Sequence, residues 1–383
     1  MSVCSRFHWL VNLNSAVVFV SISYIQQSVA RNLGFLIPFV SGLMAMITIH
    51  MVRGEMIYKP KRCNTSLLTT FGVIFSALKT RCVRQRYLGT AAPSWLDHAK
   101  EHHGGHYSET QVEGTKSLAR LFPLFTFQIL YRTCIMQIPS GYYLQTMNSN
   151  LHFGGFLLPV AAMNVISIVP LLILVPILEC INSWLFSSKD TGHSPTIYIG
   201  HLSAALSVVA AGFCEMHRKR FPQVEQTLSE ELFLVSSMPC FHLAPQYILL
   251  GVAEALVSPS CSLLSFWLVP AGMRGISMHF LALFNGAGCF VGALIVQTAH
   301  AGTQGSWFPH LLHEGKLERF FFFLASLMMV NTLGFWAIAH RYDCTNGFRG
   351  SFPGEKLLKH EKAIKHYSSV LESSPILSPV EKT

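Results

Sequence analysis

Charge is what this chain has least of. Asp, Glu, Lys and Arg together make up 12% of its 383 residues, about half the share of an ordinary soluble domain. Hydrophobic residues make up 51%, and with so few charges beside them this argues against a water-soluble fold. Acids are scarcer than bases, 19 against 28, which leaves a net charge of +9. The bases are not gathered on an aromatic-rich soluble module, as nucleic-acid binding would ask. They lie in loops between apolar blocks, the positive-inside pattern of membrane proteins. Paired cysteines are also lacking. The 10 cysteines are scattered, with no C-x-x-C and no regular spacing, and most sit in or beside apolar segments. This excludes a disulfide framework and reads as small apolar side chains. No cleavable signal peptide is expected at the start of this sequence: residues 1–9 carry one basic residue, and the apolar run that follows ends in no small-residue cleavage site. No nucleophile–base set is visible, which argues against an enzyme. His102, His103 and His106 lie in a Gly-containing loop without a nearby cysteine. A zinc site needs three or four convergent ligands at fixed spacing, so these read as a solvated loop and no metal is proposed.

What the chain has in plenty is long apolar runs. A bilayer is crossed by a helix of about 20 apolar residues. Runs near 7–25, 33–52, 119–145, 156–185, 197–216, 240–270, 274–299 and 320–340 meet that need, which predicts an all-α polytopic membrane protein. A further run, 67–78, is too short to span and reads as an amphipathic helix on the membrane surface. Lys59, Lys61, Arg62, Lys79, Arg81, Arg84 and Arg86 place the region from 53 to about 120 in the cytoplasm, together with the N-terminus and the tail. By alternation 217–238, with Arg218, Lys219 and Arg220 against Glu225, Glu230 and Glu231, lies on the other side. Residues 356–368 read equally as a basic surface helix or as disorder.

Glu254 and Arg132 lie well inside two of these runs. Glu254 sits in the middle of 240–270, where a charge costs about 2.5–3.5 kcal/mol and is kept for a cavity or a partner. Tyr247, Gly251, Glu254, Ser258, Cys261 and Ser265 follow at steps of three or four and share one helix face. Pro259 removes a backbone hydrogen bond one turn on, which predicts a kink. Glu254 is either a functional group facing a cavity or a neutralised structural one. Arg132, inside 119–145, is its intramolecular rival partner. Gly288 and Gly292 form a G-x-x-x-G close-packing surface.

The sequence P-Q-Y-I-L-L-G-V-A-E at 245–254, then S-P at 258–259 and V-P-x-x-M-R at 269–274, resembles the proton-coupled oligopeptide transporter family, solute carrier family 15. The resemblance implies the tenth of twelve helices of a major facilitator fold, and it places Glu254 where the family binds the substrate's amino group. F-H-W-L-V-N-L-N-S at 7–15 resembles the fifth helix, with Asn12 on a substrate-contacting asparagine and Asn14 where the family has glycine. Asn12 reads equally as an interhelical hydrogen bond, worth about 0.6 kcal/mol. S-W-L-D-H-A-K-E at 94–101 resembles a W-L-D-x-A sequence of the central cytoplasmic loop. M-Q-I-P-S-G-Y-Y-L-Q at 136–145 resembles the seventh helix: Gln137, Ser140, Leu144 and Gln145 match, whereas Met136 replaces an acid. Arg132 stands where a tryptophan lines the peptide cavity and would change which substrates fit. V-P-I-L-E at 175–179 resembles V-P-I-x-D, so Arg120 and Glu179 fall on an ion pair that closes the inner gate. Ser167 replaces a peptide-contacting asparagine.

The eight runs thus resemble helices five to twelve of twelve, a partial major facilitator fold. Residues 1–53 would be the last two helices of the N-terminal bundle, 54–119 a cytoplasmic linker, 120–343 the C-terminal six-helix bundle and 344–383 a cytoplasmic tail. The first four helices, with the E-x-x-E-R motif, have no counterpart. The expected function is proton-coupled symport of small peptides or peptide-like solutes, with the proton as coupling ion and no cofactor. An alternating cavity needs both bundles, so inactivity of this chain by itself stays open. So does a non-transporting regulatory or scaffolding role. The expected partners are the solute and the lipid bilayer, not nucleic acid. Plasma membrane and endolysosomal membrane are both open.

Overall fold

The computed structural model describes residues 3–29, 31–54, 67–84, 95–103, 105–185, 194–228, 231–308 and 315–344. It is built from helices α1 (Val3–Tyr24), α2 (Arg31–Val52), α3 (Leu67–Arg84), α4 (Glu109–Ala119), α5 (Phe122–Ile135), α6 (Tyr143–Met147), α7 (Asn164–Leu185), α8 (Ser194–Arg218), α9 (Ala244–Trp267), α10 (Arg274–Gly302) and α11 (Leu317–Cys344). Eight helical stretches among the described residues are long and apolar enough to cross a membrane. They coincide with the eight runs read from the sequence.

The third stretch, Glu109–Met147, is not one rod. Pro123 opens α5 in its first turn, where a missing N–H costs nothing. Pro139 then interrupts the backbone ladder after Ile135. A π-helical turn, Ile138–Tyr142, takes up the slack, and the N–H of Tyr142 donates to the Gln137 carbonyl five residues back at 2.8 Å. The kink expected at Pro259 does not end α9, which runs through it to Trp267.

The described residues fall into two compact units. The first lies within Met1–Arg62, Phe122–Leu264 and His279–Ala337. Its helices pack through side-chain-to-backbone contacts as much as through apolar ridges. Trp9 Nε1 on α1 donates to the Leu172 carbonyl of α7 at 3.0 Å. Leu171 and Val175 of α7 meet Ala255 of α9, and Gly251 lies so close to the Ser167 carbonyl that a side chain there has no room. Asn331 of α11 donates to the Phe127 carbonyl of α5 at 3.2 Å. Thr146 of α6 and Tyr247 of α9 share a hydrogen bond of 2.9 Å.

Two antiparallel ribbons complete this unit. The shorter pairs β1 (His152–Phe153) with β2 (Phe156–Leu157). The longer pairs β3 (Gln223–Leu228) with β4 (Glu231–Ser236) in the register Gln223↔Ser236. The second ribbon falls in the mixed-charge stretch 217–238, where the sequence shows no strand signal, because few of its side chains are buried. Gln226, Val235 and Ser236 are, and the side-chain Oε1 of Gln226 accepts the Leu151 N–H at 2.9 Å. Beside it, Glu215 and Arg218 form a buried pair at 2.6 Å, and Gln145 Nε2 donates to the same carboxylate at 3.0 Å.

The second unit lies within Cys63–Leu121, Ser265–Met278 and Ile338–Thr383. It has an apolar core of its own: Val73 and Ala77 of α3, Leu96 and Ala99 of a 3-10 turn (Trp95–Ala99), and Val112 of α4. The helix expected over 67–78 is therefore longer, Leu67–Arg84, and buries one face in protein. Its opposite face leaves Leu68, Phe71, Phe75 and Leu78 exposed. Asp97 is buried beneath Lys116 at 2.6 Å and Lys100 at 2.9 Å, and both lysines also reach Glu113. Burial alone would raise the Asp97 carboxyl; the two ammonium groups outweigh it and hold the group below the usual carboxylate range. Glu113 and Asp97 in turn raise the Lys100 ammonium.

Candidate functional site

Two helices of the first unit, α5 and α9, meet at one carboxylate, and a third, α10, packs behind α5. α9 carries Glu254 in its middle, with Ser258 one turn further along the same face. α5 carries Tyr131 and Arg132 as neighbours. α10 brings Gly288 against α5, where an added Cβ would lie 2.5 Å from Arg132 Cβ and 2.7 Å from the Ile129 carbonyl oxygen. Glycine is needed there, because any side chain would push α10 off α5. Thr133 Oγ1 donates to the Gly288 carbonyl at 3.3 Å and closes the contact. The G-x-x-x-G surface expected at Gly288 and Gly292 thus lies against α5, with Gly292 facing Thr133.

Arg132 Nη1 donates to both oxygens of Glu254, at 3.1 Å to Oε1 and 3.2 Å to Oε2. Tyr131 Oη donates to Oε2 at 2.9 Å, and Ser258 Oγ to Oε1 at 2.7 Å. The pair is not sealed: the side chain of Arg132 is 25% exposed and that of Glu254 23%. Tyr131 itself is buried, its ring stacked on His201 of α8 at 5.3 Å between centroids. His201 is fully buried in turn, with Gln128 Nε2 3.4 Å from its Nε2 and Phe335 against its ring at 5.2 Å. An intramembrane charge is thus held at a set place by a cation and two hydroxyls, and the aromatic donor is held by its own neighbours.

Of the residues singled out in the sequence, the structure brings together Glu254 and Arg132. Gln137 and Asn12 are not among the groups that touch the carboxylate. Gln137 is buried, and its amide donates to the Thr133 carbonyl of its own helix at 3.2 Å. Asn12 is half-buried on α1. Ser167 is buried and donates to the Asn164 carbonyl at 2.7 Å. Arg120 is exposed after α4, whereas the side chain of Glu179 lies outside the described residues. So do the side chain of His103 and the stretch 356–368. His102 and His106 are exposed. Tyr131 and His201 were missed. A histidine inside an apolar run was the available signal for His201, and adjacency to Arg132 was the only one for Tyr131.

Residues 3–309 match the POT family. The chain belongs to that family. It is 56% identical over 382 residues to human solute carrier family 15 member 5, an alignment that covers 98% of this chain and 66% of the human protein. NRT1/PTR family protein 2.11 of Arabidopsis thaliana is 29% identical over 250 residues, 61% of this chain and 40% of the plant protein. The chain thus spans less than two thirds of the length of these POT relatives. Among solved structures, an auto-inhibited POT family peptide transporter and the POT transporter PepTSo each superpose with a TM-score of 0.62 at 16% identity, covering 88% of this chain and 70% of theirs. This POT protein is therefore a multi-pass membrane protein whose helices follow part of a major facilitator fold.

Proposed function

We propose that this chain is the part of a secondary transporter equivalent to helices five to twelve, that the transporter carries small peptides or peptide-like solutes with protons, and that Glu254 and Arg132 lie at its substrate site. The observation that carries this reading is the pair itself. A glutamate in the middle of α9 and an arginine in the last turn of α5 are kept inside apolar stretches, a quarter exposed, where a packing role alone is served as well by apolar residues. The rest is supported by likeness to a peptide transporter of the same family. Asn12 is proposed to face the same solute, Gln137 to reach it only after a change of rotamer, and Arg120 with Glu179 to latch the inner gate.

The test uses the protein extended by the four helices that the family resemblance implies, reconstituted in vesicles. Uptake of a small-peptide panel should rise with an inward proton gradient, and Glu254→Gln should lower it about tenfold or more while the protein still inserts. Uptake that ignores the gradient overturns proton coupling. No uptake of any panel member overturns transport.

A further inference from the structure

The donors and acceptors of the Glu254 site are unequally used. A carboxylate has about four acceptor positions, and all four are taken: Arg132 and Ser258 on Oε1, Arg132 and Tyr131 on Oε2. Arg132 is the opposite case. A guanidinium has five N–H donors, set as a fork that grips a carboxylate with two parallel bonds. Here a single nitrogen, Nη1, serves both oxygens, and Nη2 and Nε make no hydrogen bond among the described residues. Those donors are not entombed, since the side chain is 25% exposed. Gly288 lets α10 lie directly on the Arg132 stem, which fixes the side chain from behind.

We propose that Arg132 is the substrate-contacting cation of this transporter and that it takes a carboxylate of the solute, Glu254 serving to hold it rather than to bind a substrate amine. The proposal rests on the transport reading above and narrows its substrate class to solutes with an anionic group and no required free amine. An ammonium arriving at Glu254 finds no open lone pair and must first displace Arg132. A carboxylate arriving at Arg132 finds a free fork edge and displaces nothing. Glu254 also keeps the site near neutral before binding, so one negative charge on the solute leaves it with a net charge of about −1. A co-transported proton would offset that charge.

Two probes separate the possibilities on the purified, helix-complete protein: N-acetyl-alanyl-alanine, with a carboxylate and no amine, and alanyl-alanine amide, with an amine and no carboxylate. Binding is read by thermal shift and by competition, independently of uptake. The acetylated probe should bind, and the amide should bind at least about tenfold more weakly. Arg132→Gln leaves Glu254 without its cation and can fail to fold, so Arg132→Lys is the deciding variant. It keeps a positive charge on Glu254 without the fork, and it should lower affinity for the acetylated probe about tenfold while its unfolding midpoint stays near that of the parent. Preference for the amide, or an unchanged affinity in Arg132→Lys, overturns the assignment and leaves transport standing. Failure of both probes together with absent uptake overturns both.

Discussion

Glu254 shows how much one intramembrane charge demands of its neighbours. Leaving it in the bilayer costs several kcal/mol, and three side chains from two helices answer that cost with four contacts. Their roles differ. Arg132 cancels the charge, whereas Tyr131 and Ser258 aim it, because a hydroxyl fixes one oxygen each and leaves the net charge alone. Tyr131→Phe keeps the ring on His201 and removes only the donor to Oε2. The expected loss is about 1.5–3 kcal/mol of stability, the range for a hydrogen bond to a charged group, measured as a lower unfolding midpoint in detergent. An unchanged midpoint would mean that the tyrosine hydroxyl and the carboxylate are not bonded in the protein. Glu254 and Arg132 were both legible from the sequence, since a charge in an apolar run is a local signal. Their pairing was open, because it depends on how close α5 and α9 come, and the two residues are 122 positions apart in the chain.

The element most at odds with a membrane-surface reading is α3. Its length and exposed Leu68, Phe71, Phe75 and Leu78 suit an interface, yet its other face is a protein core shared with α4 and the turn at Trp95–Ala99. That core is small, and the buried Asp97 with its two lysines fastens it. Breaking a buried pair by removing one partner costs about 3–5 kcal/mol. Asp97→Ala should fall at the lower end, near 3 kcal/mol, because both lysines keep Glu113. Amides of α4 should then exchange about 100-fold faster. The pH dependence has a definite sign. The Asp97 carboxyl is lowered from its usual 3.8, so its contribution is present above that value and is lost as pH falls below it. The Lys100 ammonium is raised from 10.5, so its contribution is present below that value and is lost as pH rises through the higher folded one. Protection of α4 should be flat between about pH 5 and 10 and fall at both ends. A single slope across neutral pH would show that some other group controls this unit. The sequence W-L-D-H-A marked the position through its family likeness alone; nothing local says that the aspartate is buried.

For the molecule as a whole, hydropathy located all eight spans because insertion is decided segment by segment. It did not show the break in the third stretch or the β3–β4 ribbon. The first depends on where Pro139 falls in a backbone ladder. The second is a strand pair with few buried side chains, stabilised by distant partners such as the Leu151 N–H. Orientation rests on charge alone. Residues 53–118, between the second and third runs, hold ten Lys and Arg residues, against Arg218, Lys219 and Arg220 at the end of α8, and on that difference we propose the cytoplasmic side for them. Three expected spans, 119–145, 156–185 and 197–216, lie between Ser108 and residues 223–236 in the sequence, and an odd number of crossings predicts opposite sides of the bilayer for the two. An N-x-S/T acceptor inserted after Leu228 should therefore acquire a glycan in the secretory pathway, whichever membrane the protein finally reaches. The same insert before Ser108 should stay unmodified. A glycan at Ser108 would reverse the orientation, and glycans at both sites would remove one of the three spans between them.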